Sequence, residues 1–211
     1  MESYITVRAG FEATGEFVDR KSRFIAQLIH VETEQEAAEH LAAMRARHFD
    51  ARHNVPAWIL ADGRERASDD GEPQRTSGMP TLEVLRGAGL RDVCCVTTRY
   101  FGGTLLGPGG LVRAYTAAAQ AAVEHARAEG MLVEMTSVVP VDVQVPYATY
   151  EQVRKALEDR GGKVPTCDFT DSVMLHAIFK AGEEEPFCAW LREFMAGREQ
   201  VVCGEARFAE F

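Results

Sequence analysis

A glycine-rich segment bounded by two arginines, residues 99–115, has the residue types that bind anions. Five glycines fall within nine residues, between an apolar run and a long helical pattern. Glycine lets the backbone approach a ligand closely, and a helix N-terminus presents free N–H groups with a partial positive charge. Flanking arginines can add bidentate hydrogen bonds. We therefore expect an anion or nucleic-acid site formed by Arg99, Gly102, Gly103, Gly107, Gly109, Gly110 and Arg113.

The glycines also have a purely structural interpretation. Their spacing matches neither G-x-x-x-x-G-K-[ST] nor G-x-G-x-x-G, so no nucleotide-binding loop of either kind is predicted. The same glycines could simply permit tight turns and close packing of a helix against a sheet. Spacing alone does not decide between this interpretation and an anion site.

A second segment, residues 68–80, places the carboxylates of Asp69, Asp70 and Glu72 within four positions of a polar loop. Such carboxylates can hold a hard cation such as Mg²⁺ or position a water molecule. Their spacing matches no calcium-binding loop. The alternative is a solvated acidic turn, or carboxylates paired with nearby arginines such as Arg75 and Arg99.

Histidine and cysteine provide few further candidates. His53 opens a predicted strand and could act as an acid, a base or a phosphate donor, although a single histidine is also common in a structural role. No Cys/His set has tetrahedral metal spacing, so we expect no bound metal. The five cysteines, at positions 94, 95, 167, 188 and 203, form no C-x-x-C pair. We interpret them as small apolar side chains in a reducing compartment.

The bulk composition limits the function further. The 211 residues carry a net charge of −9, and both halves of the chain are acidic. A phosphate contact must therefore come from a local basic patch rather than from a positive field over the whole protein. No apolar run approaches about 20 residues, and the N-terminus lacks the features of a signal peptide. We expect a cytoplasmic protein without a membrane segment.

Periodicity predicts the elements that position these residues. In the first half we predict strands at 5–7, 16–18, 23–29, 55–60 and 92–98, and helices from Thr33, at 80–85 and at 108–128. Thr33 and Glu36 fit a capping box. Residues 61–79 are predicted to be one long loop, which is often functional.

The pattern restarts after Gly130 and predicts a second domain. A strand at 138–145, broken at Pro140, precedes a helix around Val153, strands at 163–169 and 173–179, a helix from Pro186 and a last strand near 199–208. This βαββαβ order is typical of a ferredoxin-like unit. The sequence thus predicts an α+β protein of two α/β-sandwich domains, residues 1–135 and 136–211.

Several strings together resemble the signature of the IMPACT/YigZ family: DRKSRF (19–24), ARHN (51–54), SDDGEP (68–73), GMPTLEVL (78–85) and TRYFGG-x-x-LG-x-GGLVRAY (98–115). The resemblance covers residues 1–130 well. It implies an N-terminal domain like the second domain of a ribosomal protein and a C-terminal, ferredoxin-like domain similar to one in elongation factor G. Eukaryotic relatives are linked to regulation of translation initiation under stress, whereas bacterial relatives lack an agreed activity.

The chain departs from the family pattern near the expected site. The family usually has GEPSGTAG, whereas residues 71–78 of this chain read GEPQRTSG, with Gln74, Arg75 and Ser77 as the differences. The chain also has Leu105 where a lysine is common in the family. The lost lysine weakens the phosphate argument, although Arg75 could restore a charge.

We favour a binding module for RNA or a phosphate-bearing ligand, connected with translation, over an enzyme. The anion-site residues are those named above together with Arg75 and His53, and RNA, the ribosome or a translation factor are the expected partners. No cofactor is indicated. The alternatives are a metal-assisted hydrolase that uses Asp69, Asp70 and Glu72, and a protein-interaction module.

Overall fold

A computed structural model of the chain describes residues 3–198 and 200–211. The described residues form an α+β protein with two antiparallel sheets and five α-helices, which confirms the predicted class. The chain divides into two compact units. The N-terminal unit is Tyr4–Val133, and the C-terminal unit is Glu134–Phe211 together with Ser3.

The N-terminal unit contains six strands and three helices. In chain order they are β1 (Tyr4–Val7), β2 (Ala13–Asp19), β3 (Ser22–His30), α1 (Glu34–Arg47), β4 (His53–Ile59), β5 (Glu65–Ala67), α2 (Gly78–Gly87), β6 (Val93–Tyr100) and α3 (Gly107–Ala128). Five strands form a sheet of order β2-β3-β6-β4-β5. The helices α2 and α3 pack on one face of this sheet, and α1 packs on the other.

The central strand β6 is buried along almost its whole length because helices cover both faces of the sheet. Cys94 packs with Met44 of α1, whereas Cys95 packs against the side of α2 and α3. Burial raises the pKa of both thiols, that of Cys95 to about 12. The two adjacent cysteines are therefore buried on opposite faces of the sheet, as small apolar side chains.

Helix α1 begins as its sequence predicted. The Thr33 hydroxyl accepts a hydrogen bond from the Glu36 amide at 3.1 Å, which satisfies a free donor of the first turn. The Glu36 carboxylate accepts a hydrogen bond from the backbone amide of Glu32 at 2.6 Å. In a standard capping box it would accept from the amide of the N-cap residue, Thr33.

The prediction of one structureless loop at 61–79 is wrong. Strand β5 pairs antiparallel with β4 inside this segment, and α2 begins at Gly78 rather than at Pro80. The strand was missed because its three residues, Glu65, Arg66 and Ala67, are mostly polar and too few to show alternation.

The C-terminal unit contains a βαββαβ arrangement. It comprises β7 (Leu132–Val145, all but the first two residues), α4 (Tyr150–Glu158), β8 (Lys163–Phe169), β9 (Val173–Lys180), α5 (Glu185–Phe194), β10 (Gln200–Cys203) and β11 (Arg207–Glu210). Strand β7 pairs with β9, which pairs with β8, while β10 and β11 follow one another along the other edge of β7. The core consists of Val141, Val143, Leu175, Phe179, Phe187, Leu191 and their neighbours.

The predicted break at Pro140 is also wrong, since β7 continues through it. The break lies instead in the neighbouring chain segment, where β10 ends opposite Val141 and β11 begins opposite Val138. Proline lacks an N–H, so a gap in the partner strand at this point leaves no donor unpaired. The predicted last strand is therefore two strands, and its first residue, Glu199, lies outside the described residues.

In the part of the chain that the structure describes, no helix is long and apolar enough to cross a membrane.

Candidate functional site

A concave cleft of about 410 Å³ lies in the N-terminal unit, where the end of β6 and the start of β4 meet the N-terminus of α3. Its position follows from the strand register, which places His53 directly opposite Arg99. Its polar lining consists of Arg52, His53, Glu72 and Arg99, and its apolar lining of Pro73, Phe101, Leu105, Leu106, Pro108 and Leu111.

Arg99 lies at the bottom of the cleft and is only 6% exposed. Its Nη1 donates to both carboxylate oxygens of Glu72, at 2.7 and 2.8 Å. The Tyr115 hydroxyl donates to the same carboxylate at 2.9 Å. Burial, followed by the negative charge of Glu72, raises the pKa of Tyr115 far above its ordinary value, so the hydroxyl keeps its proton. The network fixes a cationic side chain beside the cleft.

One edge of the Arg99 guanidinium is left unused. Both of its hydrogen bonds to Glu72 come from Nη1, and its buried Nε has no partner among the residues that the structure describes. The guanidinium also stands 5.4 Å from the ring centre of Phe24 and 5.6 Å from that of Phe101. A guanidinium offers five donors in a fixed plane, so Arg99 keeps donors that the Glu72 carboxylate does not use.

His53 is oriented by the loop that follows β5. Its Nδ1 lies 2.8 Å from the carbonyl oxygen of Asp70, and because that oxygen can only accept, Nδ1 carries the proton. Its Nε2 lies 4.0 Å from the Glu72 carboxylate. In the neutral ring Nε2 is therefore an acceptor, whereas in the protonated ring it can donate to an anion.

Four of the five glycines in the 102–110 segment have a structural reason. A Cβ on Gly102 would lie 2.1 Å from the backbone of the turn between β2 and β3. Gly103 and Gly107 have φ values of +86° and +71°, which favour glycine. A Cβ on Gly110 would lie 2.9 Å from the side chain one turn earlier. The packing interpretation therefore accounts for most of the cluster.

Gly109 has no such reason, because its φ is not positive and a Cβ there would meet nothing within 4 Å outside its own helix backbone. It lies in the first turn of α3, where Leu106 at the N-cap supplies no side-chain hydrogen bond and no acidic residue is present. The positive end of this 22-residue helix is therefore not compensated by its own residues.

The three carboxylates of the acidic loop face different partners. Asp69 accepts hydrogen bonds from the amides of Arg75, Ser77 and Gly78 and from the Ser77 hydroxyl, at 2.7 to 3.1 Å. Burial raises the pKa of Asp69, but these hydrogen bonds outweigh it, so the net shift is downward. Asp69 thereby holds the loop against the start of α2.

Asp70 instead pairs with Arg45 at 2.7 Å and accepts from the Asn54 amide at 2.7 Å. Glu72 pairs with Arg99. Among the described residues, no group of three or more His, Cys, Asp or Glu side chains could hold a metal ion. The convergent carboxylate cluster on which the metal-assisted hydrolase depends is therefore not formed in this part of the chain.

Two of the expected anion-site arginines do not line the cleft. Arg113 has a side chain that is 68% exposed and lies 3.2 Å from the Asp19 carboxylate. Arg75 lines a separate groove of about 760 Å³ between α2 and α3. Of the predicted residues, the cleft lining brings together His53, Glu72, Arg99 and Gly107.

Three polar or aromatic residues of this region were not predicted as site residues. Arg52 and Phe101 lie inside the quoted strings, next to residues that were chosen, but nothing in their spacing distinguishes them. Tyr115 had a usable signal, since it falls on the apolar face of α3 one turn after Leu111. A tyrosine hydroxyl buried on such a face usually has a hydrogen-bond partner.

Comparison with known proteins identifies both units. Residues 20–123 match the family described as "Impact N-terminal domain", and residues 143–198 match "Domain of unknown function (DUF1949)". The fold thus belongs to a class of two-domain α+β proteins that join these domains. The chain belongs to the IMPACT family, as its motifs suggested.

Relatives match over nearly the whole chain. The "IMPACT family member YvyE" of Bacillus subtilis (strain 168) is 34% identical, with 100% of this chain and 95% of the relative covered. The "IMPACT family member YigZ" of Escherichia coli (strain K12) is 32% identical, with 97% and 100% covered. A solved structure described as "Crystal structure of an hypothetical protein" is similar with a TM-score of 0.60 and 32% identity, over 97% of this chain and 98% of that one.

Proposed function

We propose that the cleft of the N-terminal unit binds a phosphate group, carried by RNA or by a phosphorylated ligand, in a role connected with translation. The observation that carries this proposal is the buried Arg99 guanidinium, which Glu72 holds from one side while its Nε has no partner in residues 3–198 and 200–211. Arginine is well suited to phosphate because its planar donors match two phosphate oxygens at once.

The groups around Arg99 favour an anion over a neutral ligand. The described lining residues include two arginines, Arg52 and Arg99, but one carboxylate, that of Glu72, and they include His53, whose Nε2 can donate to an anion when the ring is protonated. The uncapped N-terminus of α3 adds its partial positive charge where Gly107 meets the cleft. An anion of one or two charges fits this balance, whereas a long polyanion would need further cations.

The apolar walls suit an organic group attached to the phosphate. Phe101 is 48% exposed and Leu105 is 81% exposed at the cleft. Exposed aromatic rings stack with nucleic-acid bases, and a volume of about 410 Å³ lies in the range of small-molecule sites. A nucleotide with its phosphate at Arg99 and its base against Phe101 is the ligand that these features favour.

The fold supports the link to translation by analogy only. The strand order β10-β7-β9-β8 and the βαββαβ arrangement support a ferredoxin-like fold, similar to that in elongation factor G, for the C-terminal unit. For the N-terminal unit we propose the fold of a ribosomal protein's second domain. A cytoplasmic protein that contacts RNA, the ribosome or a translation factor accords with both.

The test compares two exposed arginines of equal charge. Arg52→Ala removes a residue of the cleft, whereas Arg113→Ala removes one that faces Asp19 outside it. Binding of a labelled single-stranded RNA oligonucleotide, and its competition by inorganic phosphate, should weaken about tenfold for Arg52→Ala, the effect of one charge-assisted hydrogen bond. Arg113→Ala should change the dissociation constant by less than about twofold. Equal losses in both variants, or none in either, would contradict the proposed site.

A gain of binding provides the complementary test. Leu105→Lys adds a cation at an exposed position of the cleft, so the fold should tolerate it. The variant should bind the oligonucleotide more tightly, and its log–log salt dependence should steepen by about 0.7, as expected for one more phosphate contact on a single strand. An unchanged salt dependence would show that RNA does not reach this cleft.

A further inference from the structure

Two cysteines of the C-terminal unit lie side by side although they are 15 residues apart in the chain. Cys188 in α5 and Cys203 at the end of β10 have their Sγ atoms 3.7 Å apart, and both are free thiols. Their backbone positions are well anchored. The neighbouring Phe187 is fully buried in the core, and Cys203 pairs with Val141 of β7.

The two thiols differ in access, which suits a stepwise reaction. Cys203 is exposed to solvent, whereas Cys188 is half-buried. Burial, followed by the neighbouring Cys203, raises the pKa of the Cys188 thiol to about 11. Cys94 and Cys95, by contrast, are fully buried in the other unit and cannot meet a reagent. The exposed Cys203 is thus the first of the pair that an external reagent contacts.

We propose that Cys188 and Cys203 are a site of thiol oxidation, at which a low-molecular-weight disulfide converts the pair into a reversible intramolecular disulfide. This assignment differs from the sequence-based interpretation of the cysteines as small apolar side chains in a reducing compartment. It requires a movement of less than about 2 Å to reach an S–S bond of about 2.05 Å.

The reaction proceeds by two exchanges. The Cys203 thiolate attacks one sulfur of the small disulfide, forms a mixed disulfide and releases the first small thiolate. The Cys188 thiolate then attacks the Cys203 sulfur and releases the second. The two protein thiols lose two electrons in total, the small disulfide gains them, and the two protons pass to the released thiolates.

The experiment treats the full-length protein with glutathione disulfide, followed by alkylation and mass spectrometry of the intact chain and its peptides. The expected product has lost two hydrogens, has two fewer alkylated cysteines, and yields one cross-linked peptide that contains Cys188 and Cys203. Excess reduced glutathione should restore both thiols. A wild-type protein that stops at a glutathione adduct, forms a covalent dimer or keeps both thiols alkylatable would overturn the proposal.

Single variants separate the two steps. Cys188→Ala should retain one glutathione on Cys203, because the second thiol is missing. In Cys203→Ala, the Cys188 thiol should react with glutathione disulfide at least about tenfold more slowly than Cys203 reacts in the wild type. The reason is that the Cys188 thiol is half-buried and its pKa is raised. Cys167→Ala is the matched control and should still form the internal bond. The assignment would be contradicted if the internal disulfide failed to form in Cys167→Ala. It would also be contradicted if Cys188→Ala carried no glutathione adduct on Cys203.

Discussion

Replacement of Glu72 by glutamine should destabilise the N-terminal unit strongly, because it removes the charge that faces the buried Arg99. The two side chains are 3% and 6% exposed, so water cannot replace the lost partner. Removing one member of a buried ion pair costs about 3–5 kcal/mol. Glutamine keeps one acceptor oxygen, so we expect the lower end, about 3 kcal/mol. With a typical urea dependence, the unfolding midpoint should fall by about 1.5 M.

The two tryptophans allow this effect to be located. Trp58 packs in the N-terminal unit and Trp190 in the C-terminal unit, so the fluorescence of a Trp190→Phe background reports the first alone. Glu16→Gln is the matched control, since Glu16 pairs with Arg23 at 2.7 Å on the surface, with both side chains about half exposed. An exposed pair of this kind contributes less than about 1 kcal/mol. Equal midpoints for the two variants would refute the role of the buried pair.

The same variant connects stability with the binding site. If Arg99 is the cation that receives phosphate, then inorganic phosphate can supply the charge that Glu72→Gln lacks. Phosphate should therefore raise the unfolding midpoint of Glu72→Gln more than that of Glu16→Gln, with the logarithmic dependence expected for a ligand of the native state. The control also corrects for the general stabilisation that phosphate gives any protein. Equal increases in both variants would contradict the assignment of Arg99.

Three further predictions follow from individual residues. Gly102→Ala should destabilise the N-terminal unit by about 1–3 kcal/mol, because its Cβ would lie 2.1 Å from backbone. Gly109→Ala should leave urea unfolding unchanged or slightly improved, because its Cβ would meet nothing within 4 Å outside its own helix backbone. Asp69→Ala should cost about 3 kcal/mol through its lost hydrogen bonds. The folded-state pKa of Asp69 is lowered, so its contribution to the free energy of unfolding is present above about pH 4 and disappears as the pH falls through that pKa. The free energy of unfolding should therefore fall less steeply with decreasing pH in Asp69→Ala than in the wild type. Hydrogen bonds to Asp168, and then to Asp142, raise the pKa of His176 in the folded protein. The stabilisation that these pairs give the C-terminal unit is therefore complete below about pH 6.5 and is lost as the pH rises through the folded-state pKa. His176→Gln should remove this dependence, which amounts to at most about 1 kcal/mol for an exposed pair and is measured by urea unfolding across pH.

Local signals in the sequence were sufficient for much of the fold. The Thr33 cap and the buried run of β6 depend on neighbours a few residues away, and both were predicted correctly. Pro140 was misinterpreted because its effect falls on a partner strand some 60 residues later, where β10 gives way to β11. Periodicity within one segment contains no information about such a partner.

The site was predicted in part for a similar reason. Pairing of the acidic loop with Arg99 was one of the predicted alternatives. The sequence does not show which of the three carboxylates pairs with Arg99, because only the tertiary structure brings Glu72 next to it. The position of Arg113 could have been anticipated. It follows Leu111 by two residues, and two residues turn a helix by about 200°, so a cleft that contains Leu111 cannot also contain Arg113.

The central claim is that phosphate binds between Arg99 and the N-terminus of α3. A two-dimensional nitrogen–proton NMR titration of the full-length protein with inorganic phosphate tests it most directly. We expect saturable shifts of the Arg99 Nε–H signal and of the free backbone amides of Gly107 and Gly109 in the first turn of α3, with one dissociation constant for all. Shifts centred on Arg113 and the turn after β2, or no saturable shift at Arg99, would contradict the claim.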